Sequence, residues 1–262
     1  MSSCPTIADV IEKCARLARR DASPCGRQHG IDMSETVPMY SGIDGMRAEL
    51  SEAHDAVWRH VCAPGSWWTG AERRAAATVV INAFADPDPS PPWIPASTTL
   101  TVDALAPAVV DALYRMTAHA STLTRAWYDA LVGSTMSELA YVELCGIVVS
   151  VTAVASLARS VGATLQPLPP ALGGDPTKHV PELDRSPRNW VPVATPAASR
   201  APVVEALSAA PGAFALLWDH LAPAQYMADH QMADLAWTRG TLSRPQMELV
   251  AARVSVRRQC FF

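Results

Sequence analysis

The stretch "GAERRAAATVVINAF" (70–84) decides how this chain is read. Its alanine, valine and isoleucine residues are spaced for an apolar helix, and no strand-like alternation interrupts them. The lead-in "WWTGAER" puts Thr69 at the expected N-cap with Glu72 three residues on, the spacing of a capping box. Similar signals return near the C-terminus, where Ser243 and Gln246 stand three residues apart around the start of "QMELVAARVSVRRQCFF" (246–262). Aligned on Glu72 and Glu248, the two helices read as copies of one unit, with Phe84 and Cys260 each twelve residues beyond the glutamate.

Working outward, the same periodicity predicts helices over 6–20, 46–62, 69–84, 101–118, 120–132, 137–161, 201–209, 211–220, 223–238 and 243–260. The expected fold class is therefore all-α. Two stretches break the pattern: "ADPDPSPPWIPAS" (85–97), with five prolines, and the proline-rich run 166–196. A connection as long as the second either links two helical halves or wraps along the surface. The expected organisation is a loosely structured extension over 1–45, a first module over 46–165, a linker over 166–200 and the start of a second module over 201–262. Met33 and Met46 are read as candidate alternative starts of translation.

Composition narrows the partners. With 49% hydrophobic and 18% charged residues the chain can bury a sizeable core, and a net charge of -4 gives no basic footprint for nucleic acid. The longest apolar run, "YVELCGIVVSVTAVASLA" (141–158), contains Glu143 and several hydroxyls, so it suits a buried helix better than a membrane span. No cleavable leader pattern stands at the N-terminus, and a cytoplasmic location is expected. Six cysteines without a CxxC pair point to reduced thiols, and seven histidines without HxxxH or HExxH spacing give no metal site.

Several residues have both a structural and a functional reading. Glu143 needs a partner if buried, which Arg115 or Arg125 could supply. His119 reads as a core or capping histidine, though its "HASTLTR" context is open to function. Trp67, Trp68, Trp127 and Tyr128 read as core or interface aromatics. Arg257 and Arg258 either complement the helix dipole or lower the Cys260 pKa. Cys260 itself, taken alone, reads as a small buried hydrophobe.

The strings "WWTGAER", "YRMTAHASTLTRAWYDALV", "YVELCGIVVSVTAVASLARSVG", "GGDPTKHVPEL", "NWVPV" and "LSRPQMELVAARVS" resemble the alkylhydroperoxidase-D and carboxymuconolactone decarboxylase-like proteins. They look most like the alkylhydroperoxidase-related group, in which two such modules are fused and some members use selenocysteine. The resemblance covers about residues 46 to 262. It implies an AhpD-like helical fold, and it places Glu248 and Cys260 on the family's Glu-x11-Cys-x-x-Cys-x3-His motif. The second member of the pair would then follow Phe262 directly, where a selenocysteine codon read as a stop is one explanation of the chain's end. Frameshift truncation and a boundary chosen by design are the others. In the first copy Phe84 and Pro87 occupy the pair's positions, so that module is expected to be redox-inactive.

The implied activity is reduction of alkyl hydroperoxides through a cysteine or selenocysteine pair, with an unidentified thiol as electron donor and no other cofactor. A homo-oligomer is expected, and the chain ending at Phe262 is expected to turn over poorly. A cofactor-free decarboxylase and a non-catalytic helical assembly protein are the alternatives. Glu248 lies ~18 Å along a continuous helix from Cys260, so direct contact needs a bend; the resemblance gives it a place in a proton relay.

Overall fold

The computed structural model describes residues 38–185, 189–194 and 205–257, all within one unit, Pro38–Phe262. These residues are mostly helical, which agrees with the all-α expectation. The helices are α1 (Ala48–His60), α2 (Gly70–Ala85), α3 (Pro107–Ala118), α4 (Arg125–Ser134), α5 (Glu138–Ser160), α6 (Pro211–Ala215), α7 (Ala222–Gln225) and α8 (Arg244–Arg257). Two antiparallel ladders of two residues each are the strands described: β1 (Leu183–Asp184) with β2 (Val193–Ala194), and β3 (Thr238–Arg239) with β4 (Leu242–Ser243).

Local chemistry fixes the ends of these helices. The Thr69–Glu72 capping box is fully made, Glu72 N donating to Thr69 Oγ1 at 3.3 Å and Thr69 N to Glu72 Oε2 at 2.8 Å. Pro107 occupies the first turn of α3, where its missing N–H costs nothing, so that helix begins later than the predicted 101. Thr124 and Ser137 cap α4 and α5 through the Trp127 and Ala140 amides. The predicted helix 223–238 stops at Gln225. Arg239 takes the Pro223 and Tyr226 carbonyls at 2.7 and 2.9 Å, and Gly240, at φ 57°, closes the β3–β4 hairpin. The predicted helix 6–20 lies outside the described residues, as do residues 201–204 of the predicted helix 201–209.

α5 is the axis of the core. Its 23 residues are apolar on almost every face because α1, α2, α3 and the run 211–221 pack around it. By length and composition α5 could cross a membrane, but 67% of its most apolar window is buried in this unit, as in a core helix. Alanine-rich α2 packs between α5 and α3, burying Ala76, Ala77, Val79 and Val80. Leu113, Leu144 and Val151 are fully enclosed in this cluster, and truncating Leu144 to alanine is expected to cost about 2–5 kcal/mol.

The first part of the proline-rich run, residues 166–178, wraps along the surface of the helices. Trp58 Nε1 donates to Gln166 O at 2.9 Å, Leu172 N to Cys62 O at 2.8 Å, and Lys178 N to Ser66 O at 2.8 Å, strapping 166–178 over α1 and the α1–α2 connection. Beyond the strap, Leu216, Leu221 and Ala224 return to the same core as α1 and α5. Residues 216–221 widen into a π-helical turn just before Pro223, which has no N–H to give to an i−4 carbonyl. Gly146 lets α5 approach α6, since a Cβ there would lie 2.3 Å from Ala213 Cβ. At the other end, Met39 and Tyr40, within the expected N-terminal extension, are buried against α1. Tyr40 OH bonds His54 Nδ1 at 2.6 Å.

Candidate functional site

Glu248 lies in the second turn of α8, on its exposed side. The turn is started by Gln246, whose Oε1 accepts from Ser243 N at 2.8 Å. Glu248 Oε1 accepts from Tyr226 OH at 2.6 Å and from Arg244 Nε at 2.5 Å. The Tyr226 hydrogen bond, with the Arg244 bond second, holds its carboxyl below the usual carboxylate range. Glu248 is therefore a fixed carboxylate at neutral pH, and its neighbours Leu249, Val250, Val254 and Val256 are exposed apolar side chains. Cys260 lies outside the described residues. α8 runs unbroken to Arg257, so no bend before that residue brings Glu248 toward Cys260.

The two glutamates aligned in the sequence do different work. Glu72 is the third helical residue, and both Thr69 N and Thr69 Oγ1 donate to its carboxylate, which is spent on the cap. In α8 that duty falls to Gln246, and Glu248 stands two residues further in. The capping register and the glutamate register of the two helices thus differ by two residues.

The thiols within the described region are poor nucleophiles. Burial pushes Cys62 up to about 11 and Cys145 up to about 12, so both are neutral core groups. Among the described residues no three His, Cys, Asp or Glu side chains cluster closely enough to hold a metal ion.

A second polar centre is buried between α2 and α5. Glu143 pairs with Arg73, both side chains 3% exposed, and not with Arg115 or Arg125 as expected. Those two are engaged elsewhere: Arg115 holds the Thr122 carbonyl and lies over Trp127, and Arg125 pairs with Asp129. The second Glu143 oxygen accepts from Ser66 N at 3.0 Å and Trp67 N at 2.8 Å. Gly65 is required beside the pair, because a Cβ there would meet Glu143 Oε1 at 1.8 Å. These contacts occupy both Glu143 oxygens and tie the α1–α2 connection to α5. Arg73 was detectable in the sequence only as a member of the α2 face carrying Ala76, Ala77 and Val80.

Nearby, His60 is pushed down to about 4, first by burial and then by the Arg73 and His220 charges, and burial alone pushes His54 down to about 4. Both are neutral rings at pH 7, and His54 ties Tyr40 to Gln225 through its two ring nitrogens. His119 caps the end of α3 and bonds Ser90 O through Nε2 at 2.7 Å. Trp68 donates to Ala140 O at 3.0 Å, and Tyr128 is wholly enclosed in the core.

Compared with family models, with curated proteins and with solved structures, the chain matches none.

Proposed function

We propose that α8 is the leading half of an AhpD-like redox helix and that the protein reduces hydroperoxides through a pair of which Cys260 is one member. The observation that carries this reading is the Tyr226–Glu248–Arg244 group. It is an ionised carboxylate with a phenolic donor, held on an exposed helix face that the core does not need. It coincides with the glutamate of the family motif.

In the step itself a thiolate or selenolate of the pair attacks one peroxide oxygen. The O–O bond breaks, a proton completes the departing alcohol, and the chalcogen retains the other oxygen as a sulfenic or selenenic acid. The partner thiol then displaces water to form a disulfide or selenosulfide, which an external thiol reduces. Glu248, hydrogen-bonded to Tyr226, takes the relay place that the resemblance implies for it. Treating the reduced protein, freed of dithiothreitol, with cumene hydroperoxide in the presence of dimedone is expected to label Cys260, read by peptide mass spectrometry. A Cys260 that stays reduced while added N-acetylcysteine oxidises overturns the reading.

One observation favours a second reading, a non-catalytic assembly helix. Leu249 and Val256 lie on one α8 face and are 61% and 78% exposed, more apolar surface than a lone surface helix usually shows. Sedimentation of wild type against Leu249→Glu/Val256→Glu separates the two readings, since only the assembly reading requires the mass to fall.

A further inference from the structure

The loop between α2 and α3, residues 86–106, is longer than a helix-to-helix connection needs and carries five prolines. It is nevertheless pinned. Ser97 N and Oγ donate to Asp111 at 2.7 and 3.1 Å, Tyr114 OH to Asp86 at 2.6 Å, and the His119 ring holds Ser90 O. All this fixation leaves Trp93 79% exposed on the loop. A rigid loop that presents a tryptophan to water buries nothing by doing so.

Beside Trp93 is a cleft of about 310 Å³, lined among others by Tyr114, Arg115, His119 and Trp127. Its volume is at the small end for ligand sites. Arg115 is held flat, with Nε on Thr122 Oγ1 at 3.2 Å, Nη2 on Thr122 O at 2.8 Å and Cζ 5.4 Å from the Trp127 ring centre. No carboxylate pairs with it among the described residues. The acids close by are already engaged, Asp111 by Ser97 and Asp86 by Tyr114 and the Asp88 amide. Ser90 O can only accept, so the His119 Nε2 carries the hydrogen, and in the neutral ring Nδ1 is the acceptor.

We propose that this cleft binds a small planar aromatic carboxylate of one or two rings. The ring stacks on Trp93 and the cleft aromatics, the carboxylate pairs with Arg115, and a ring hydroxyl donates to His119 Nδ1. Arg115 is suited to this because a guanidinium fixed by two hydrogen bonds and an indole face meets a carboxylate without further ordering. The site is separate from α8 and does not depend on the redox reading.

The test is calorimetric titration of the whole chain with 4-hydroxybenzoate, beside 4-hydroxybenzyl alcohol, which lacks the charge, and hexanoate, which lacks the ring. Saturable binding of 4-hydroxybenzoate is expected, about tenfold weaker in Trp93→Ala and about tenfold weaker for the alcohol, with hexanoate silent. Trp93 is too exposed for its removal to disturb folding. Absence of saturation by ~10 mM, the weak-binding limit of such an assay, overturns the proposal. So does equal affinity for the alcohol, or a Trp93→Ala variant that binds as wild type does.

Discussion

Replacing Glu143 by leucine leaves the Arg73 guanidinium buried with the His60 carbonyl as its remaining partner, and deprives the Ser66 and Trp67 amides of their acceptor. Breaking a buried pair in this way costs about 3–5 kcal/mol, chiefly because the surviving charge is left uncompensated. The two orphaned amides add little, because Ser66 and Trp67 are only half-buried and water can partly replace the carboxylate, so the expected loss is about 4 kcal/mol. At roughly 2–4 °C per kcal/mol for a unit of this size, the melting temperature should fall by about 8–16 °C. Arg73→Met should cost a similar amount. The double variant Arg73→Met/Glu143→Leu removes both charges and should be more stable than the sum of the singles by about 2–3 kcal/mol. Guanidinium unfolding of the four proteins measures this. A Glu143→Leu change within about 1 kcal/mol of wild type, or additive singles, refutes the view that this pair ties the α1–α2 connection to α5.

Acid should destabilise the fold through His54 and His60. Their folded pKa values, about 4, lie below the ordinary 6.5, so the unfolded chain binds more protons between those limits and stability falls as pH is lowered from 6.5 to 4. The ceiling is about 3 kcal/mol for each ring; urea midpoints at pH 7 and pH 4.5 check it, and a pH-independent midpoint refutes it. Cys62 and Cys145 should resist iodoacetamide at pH 8, because thiols shifted up to about 11 and 12 are scarcely ionised there; labelling of either at the rate of free cysteine counts against their burial. Gly146→Val should destabilise by roughly 1–3 kcal/mol through collision with Ala213, and Ala213→Gly should recover part of it in the same melting assay.

The helices that sequence located best were those with a chemical start signal. Thr69 with Glu72 forms the whole predicted box, and Gln246 accepts from Ser243 N as half of one, because capping is local and needs no knowledge of the rest of the chain. What sequence missed was set by distant residues. Helix 223–238 was over-extended because the groups that end it, Arg239 and the Gly240 turn, act through the hairpin. In sequence Glu143 needs a partner, but Arg115, Arg125 and Arg73 are equally basic in a one-dimensional reading, and only the crossing of α2 over α5 selects Arg73. The alignment of Glu72 with Glu248 had the same weakness: their spacing to position twelve is shared, while their hydrogen bonds differ. Trp93 and the cleft beside it left no periodic signal, because a proline-rich loop has none to give.

The central claim is that Cys260 is a redox thiol rather than a buried hydrophobe. It is tested most directly by the second-order rate of Cys260 oxidation by cumene hydroperoxide, followed by differential alkylation and peptide mass spectrometry beside N-acetylcysteine. A thiol activated by its surroundings is expected to react about 100-fold faster than the free thiol and to slow markedly in Glu248→Gln. A rate equal to or below that of N-acetylcysteine, unchanged by Glu248→Gln, would contradict the account.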